Sequence, residues 1–198
     1  MIDALLRGLA LSGPLEGAAV LLGVVYVLLI LKQQRLGWVA GGVSSAIYVY
    51  LAATARLPMQ SLLNAYYVTM AFYGWFSWTR AQQLGEARVT RWPMRFHGAA
   101  VVVIVLVSVL SSHWLALETR AAWPFLDSLT AAISLLATWL VARMKLENWL
   151  YWIAADAITA FLFAEQGHPY TSALFVIYLS IAGVGFFAWL RLYRRQAT

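Results

Sequence analysis

The chain has 198 residues, 63% of them hydrophobic and 11% charged, with a mean hydropathy of +0.73 and a net charge of +6. Soluble domains carry roughly 45–50% apolar and about 25% charged residues, so a water-soluble fold is excluded and length reads as a count of spans at roughly 20 residues each. The absence of Cys removes disulfides, thiolate metal sites and a Cys nucleophile, and the basic residues lie between apolar runs, which argues for topology signals and against a nucleic-acid surface.

Asp3 stands where a signal peptide needs a basic region, and the first long apolar run begins only after Pro14, so the N-terminal segment is expected to stay on the mature protein. Apolar runs of spanning length then follow at about Leu15–Leu31, Trp38–Ala55, Ser61–Trp78, Gly98–Leu115, Leu126–Ala142, Trp149–Ala164 and Thr171–Leu190. Unbroken stretches such as Ala99–Leu110 do not alternate as barrel strands do, and lipid leaves the backbone to satisfy itself, so all seven are predicted to be transmembrane helices. Gln82–Arg95 is the longest polar stretch, expected to be a solvated connector or a hinge. Assigning loops alternately to two sides leaves Arg7, Arg56 and Arg120 on one. Lys32, Arg35, Arg80, Arg88, Arg91, Arg95, Arg143, Lys145, Arg191, Arg194 and Arg195 fall on the other. The positive-inside rule makes that second side the cytoplasm, with the N-terminus outside and the C-terminus inside. Trp75, Trp78, Trp114, Trp139, Trp189 and Tyr193 are placed as interfacial anchors.

Leu31–Arg80 reappears without a gap as Ala142–Arg191. In that register, 111 positions apart, Glu16 meets Asp127, Lys32 meets Arg143, Trp38 meets Trp149, Pro58 meets Pro169, Ser61 meets Ser172, Tyr67 meets Tyr178, Gly74 meets Gly185 and Trp78 meets Trp189. Residues 15–80 and 126–191 are thus two three-helix repeats, and 81–118 supplies a linker and one connecting helix within a single membrane domain, 1–198. A three-span unit ends on the face opposite its start. One intervening span makes the two copies parallel, a 3+1+3 arrangement like that of the SWEET proteins, and internal repeats of this kind are a recurring plan of transporters.

Polar groups at membrane depth cost roughly 2.5–3.5 kcal/mol for a central Asp, so each requires a reason. Asp156 lies about two turns into the sixth span, and its repeat mate is Ser45, so symmetric packing does not call for a charge there. It is the first candidate to pair with a cationic substrate or a proton; a packing contact to a nearby hydroxyl is the plainer alternative. Asn64, whose mate is Phe175, offers an amide that can read a substrate or simply rivet two helices. Glu16 and Asp127 open the first helix of each repeat, where the dipole favours an acid. Trp149, Trp152, Tyr66, Tyr67, Tyr73 and Trp75 can stack on a flat or cationic ring, though most membrane aromatics serve packing. Gly41, Gly42, Ser44 and Ser45 give the second span a small face for close helix approach. No lysine lies mid-span to hold retinal, His97, His113 and His168 lack ligand spacing, and no phosphate-cradling Gly loop occurs, so an enzyme, a metal or a cofactor is not expected.

The segment Arg143–Trp152, reading RMKLENWLYW, the polar residue at 156, Phe163–Gly167 reading FAEQG, and the YGWFSW that ends Leu62–Trp78 together resemble the bacterial PnuC family of vitamin transporters over almost the entire chain. The resemblance implies a seven-helix inner-membrane protein that passes unphosphorylated nicotinamide riboside by facilitated diffusion, with a cytosolic kinase trapping the product. It also implies a tendency to form homo-trimers. In that family, nicotinamide riboside members carry Gln at position 64 and Asn at positions 71 and 156, where this chain has Asn64, Ala71 and Asp156. Thiamine is therefore a competing substrate. The expected binding set is Asp156 balancing a cation, Asn64 and Asn148 hydrogen bonding, and Trp149, Trp152 and Tyr67 stacking. A membrane sensor that binds a ligand without passing it is the alternative of another class.

Overall fold

The computed structural model describes residues 13–56, 58–118 and 123–196, without the side chains of residues 58, 114, 116–118 and 170. Asp3, Arg7 and Arg120, and the Trp114 side chain, lie outside what is described. Seven helices occur among the described residues: α1 Pro14–Leu31, α2 Leu36–Thr54, α3 Pro58–Gln83, α4 Met94–Glu118, α5 Pro124–Ala142, α6 Asn148–Glu165 and α7 Pro169–Gln196. Four of them begin on proline, whose fixed φ and missing N–H suit a first helical position. Helices α1, α2, α4, α5 and α7 are long and apolar enough to cross a membrane. The other two are the helices that carry every candidate site residue. Gln60, Ser61 and Asn64 in α3, and Asn148, Asp156 and Glu165 in α6, lower their apolar character.

The helices fall into two compact units, divided in sequence between Ala87 and Arg88. In the first unit α2 packs against both α1 and α3; in the second, α4 packs on α5, α5 on α6 and α6 on α7. The local geometry of one unit recurs in the other at the repeat spacing. Gln33 (φ 55°) and Met144 (φ 50°) both turn left-handed after the first helix of their repeat. The next residue then donates to a helix carbonyl five back, Gln34 N–H to Leu29 O and Lys145 N–H to Leu140 O, each at 2.9 Å. This is the cap that glycine usually provides, here made without it. Arg56 (φ 57°) and Gly167 (φ 76°) turn left-handed before the third helix, and after Gly167 the His168 N–H donates to Phe163 O at 2.8 Å.

The third helix of each repeat is clamped to the second by one motif. Trp38 and Trp78 meet edge to face at 5.6 Å and 90°, and Trp149 and Trp189 do so at 5.5 Å and 88°. A Cβ on Gly74 would clash with the Trp38 ring, and one on Gly185 would sit 2.6 Å from Trp149, so only glycine lets the indole lie against the helix backbone. At the other end of each seam, Ser61 Oγ donates to Val49 O at 3.4 Å and Ser172 Oγ to Ala160 O at 2.8 Å.

The connector is largely exposed, as expected of a solvated segment, but its second half is anchored. Helix α3 runs to Gln83 and α4 starts at Met94, so the interhelical stretch is shorter than Gln82–Arg95. From Val89 onward it is tied to the second unit. Thr90 N–H donates to Met144 O (3.0 Å), Leu146 N–H to Thr90 O (2.9 Å), and Val89 N–H to Gln196 Oε1 (3.0 Å). Glu147, 4% exposed, accepts from Arg91 Nε at 2.9 Å and from Trp92 N–H at 3.2 Å. Val89 is the one buried residue of this stretch, whose charged side chains remain exposed.

Candidate substrate site

Contacts between α6 and α7 define one face of α6: Trp149 against Gly185 and Trp189, Ala160 against Ser172, and Phe163 stacked on Phe175 at 5.6 Å. Asp156 lies seven residues after Trp149 and four before Ala160, which places it on the same face at the middle of the seam. It is 7% exposed and makes no hydrogen bond or ion pair with another described residue. Two further polar atoms near the start of α6 are buried without a partner among the described residues, Asn148 Oδ1 and Trp149 Nε1. Asn148 Nδ2 donates to Lys145 O at 2.6 Å, so its amide is oriented by the turn before the helix.

Trp152 points elsewhere. With Tyr151 and Ile158 it packs on the cluster of Ile104 from α4, Ile133 from α5 and Ala155, which sets α6 against α5. Tyr151 also shares a 2.9 Å hydrogen bond with His97 Nδ1. Trp149, by contrast, is 2% exposed and wedged into its glycine notch, like its mate Trp38. Both indoles leave Nε1 without a partner among the described residues.

In the first unit Ser61, Ala71, Gly74 and Trp78 mark the face of α3 that meets α2, with a Cβ on Gly42 only 3.0 Å from Ala71. Asn64 and Tyr67 fall on that face, three and six residues after Ser61. Asn64 is buried, its Nδ2 donating to Gln60 O one turn back at 2.9 Å, and Tyr67 is half-buried beside Tyr66. Each seam therefore buries one strongly polar side chain, from the third helix one turn from the Ser61 end in the first unit and from the middle helix at mid-seam in the second. The equivalents are exchanged: Ser45 stands for Asp156, and Phe175 for Asn64. Sequence reasoning missed Glu147 and its hold on the connector. The available signal was an acid opening α6 where the first repeat has Leu36.

Residues 13–191 match the family described as Nicotinamide mononucleotide transporter. The chain belongs to that family. It is 24% identical to the nicotinamide riboside transporter PnuC of Escherichia coli (strain K12), over 93% of this chain and 88% of the relative. The PnuC of Neisseria mucosa is 26% identical, over 92% and 74%. The riboflavin/roseoflavin transporter RibM of Streptomyces davaonensis is 23% identical, over 89% and 84%. The fold is shared with a crystal structure of the vitamin B3 transporter PnuC, at a TM-score of 0.76 and 24% identity, covering 98% of this chain and 88% of that one. Membership in this family makes the chain a multi-pass membrane transporter and not an enzyme.

Proposed function

We propose that this chain imports nicotinamide riboside across the bacterial inner membrane by facilitated diffusion, with a cytosolic kinase trapping the vitamin by phosphorylation. The observation that carries this reading is the buried carboxylate of Asp156, unpaired among the described residues, in a chain whose relatives in Escherichia coli and Neisseria mucosa are named nicotinamide riboside transporters. A fixed pyridinium cation supplies the missing countercharge. A phosphate monoester, with roughly −1.5 to −2 charge, would be repelled by the same carboxylate, which favours the unphosphorylated riboside over the mononucleotide. Asn148 Oδ1 and Trp149 Nε1 offer an acceptor and a donor near the start of the same helix. The two repeats are read as parallel, with α4 as the extra span between them. Entry of one positive charge into a negative-inside cell gains roughly 2.3 kcal/mol per 100 mV, so no coupled ion is required.

Thiamine, also a cation with a planar ring, is the second reading, favoured by the same carboxylate. Titration calorimetry of the purified protein against nicotinamide riboside, thiamine and riboflavin separates these, with the neutral flavin expected to bind weakest. Tight riboflavin binding would remove the cation argument. Uptake of labelled vitamin into otherwise empty proteoliposomes separates a transporter from a sensor, which would bind without accumulation.

A further inference from the structure

We propose that the end of the second unit where the connector enters α4 is a binding site for the phosphate headgroup of an anionic phospholipid. Four side-chain contacts form a continuous ledge there. The Arg143 guanidinium lies 5.8 Å from the centroid of Trp139, Trp139 lies 5.2 Å from Trp92, Trp92 stacks on Phe96 at 5.3 Å, and the Arg95 guanidinium lies 5.4 Å from Phe96. A row of three rings thus has an exposed guanidinium at each end. Lys145 and Arg91 flank it, Lys145 Nζ donating to Thr90 Oγ1 at 2.9 Å and Arg91 to Glu147. Glu147, the acid in this cluster, is turned inward with its side chain 5% exposed. Burial, and after it the Arg143 charge, hold Lys145 below the ordinary lysine range, with Glu147 partly offsetting them.

Guanidinium groups pair with phosphate oxygens through two parallel hydrogen bonds, and rings backing them hold the planar forks in place. A lipid, and not a soluble anion, is indicated by what lies next to the ledge. Beyond Phe96, α4 exposes Val103, Val107 and Leu110, seven, eleven and fourteen residues on and so on the same helix face, an apolar strip along which acyl chains can lie while the headgroup sits at ring level. The ledge is also no by-product of the repeat. The mate of Arg143 is Lys32, but the mate of Trp139 is Leu28, so the first repeat has no aromatic floor at this position.

Native mass spectrometry of the detergent-purified protein, with phosphatidylglycerol or phosphatidylcholine of matched chains added, tests the site. The unaltered protein should retain phosphatidylglycerol at least tenfold over phosphatidylcholine. Arg95→Gln with Arg143→Gln should bring the ratio within threefold, whereas Arg88→Gln with Arg194→Gln, removing equal charge from exposed positions, should leave it intact. Equal losses in the two double variants would mean diffuse attraction and overturn the site. Displacement of the lipid by millimolar inorganic phosphate would overturn the assignment to lipid. Should the Arg95/Arg143 pair fail to fold, Arg95→Gln alone gives the same readout with a smaller fall, because Arg95 makes only its Phe96 contact among the described residues.

Discussion

Asp156 and Gly185 are single positions whose replacement separates chemistry from packing. Asp156→Asn keeps shape and polarity but deletes the charge, so binding of a cationic vitamin should weaken at least tenfold, about 1.4 kcal/mol, in calorimetric titration. Binding of a neutral flavin should not move. Equal affinities before and after the change would take Asp156 out of the site. Gly185→Ala acts on packing: the added methyl would stand 2.6 Å from Trp149, and an indole wedged at 2% exposure cannot step aside. Overpacking of this kind costs typically 1–3 kcal/mol. Gly183, two residues earlier in α7, has nothing within 4 Å of its Cβ position. Gly183→Ala should therefore be neutral or stabilising by up to about 1 kcal/mol through helix propensity. Thermal unfolding in detergent should rank the two variants in that order. The repeat was legible from such positions because Trp38, Gly74, Trp149 and Gly185 are held to their identities by contact geometry. The left-handed turns at Gln33 and Met144 were not, because neither residue is a type that advertises positive φ.

The connector is an element whose structure its sequence conceals. Its charged residues read as solvated, and only the fold brings Thr90 beside Met144 and Leu146, or Glu147 beside Arg91 and Trp92. Pairings across more than fifty residues leave no local periodicity to detect. Loss of either partner should have unequal consequences. Glu147→Ala strands the Trp92 N–H and releases Arg91, and hydrogen bonds to a charged group are worth about 1.5–3 kcal/mol, so the melting temperature should fall and limited proteolysis should cut between residues 84 and 93 faster. Arg91→Ala should cost less, since the Arg91 side chain is 54% exposed and Glu147 keeps its bond from Trp92 N–H. Equal destabilisation by the two changes would mean that the ion pair, and not the burial of Glu147, holds the connector.

At the scale of the whole molecule, seven helices were legible because spanning length is written in one dimension, and the two triplets are proposed from a gapless repeat in the sequence. The site was legible only in part: Asp156 and Asn64 stand out as polar groups in apolar runs, whereas Trp149 and Trp152 look alike in sequence and face different neighbours in the fold. The proposed parallel relation of the triplets rests on counting spans, and the chain lends itself to a direct measurement of it, since it has no Cys to remove. Lys32 and Arg143 are repeat mates at the C-caps of α1 and α5, and both are exposed. Lys32→Cys and Arg143→Cys, introduced one at a time and challenged with a membrane-impermeant maleimide in right-side-out and inverted vesicles, should react from the same side if the repeats are parallel. The positive-inside bias makes that side the cytoplasm, so labelling is expected in inverted vesicles only. Reaction of one from outside and the other from inside would make the triplets antiparallel, and α4 could not then be the single extra span that the parallel arrangement requires.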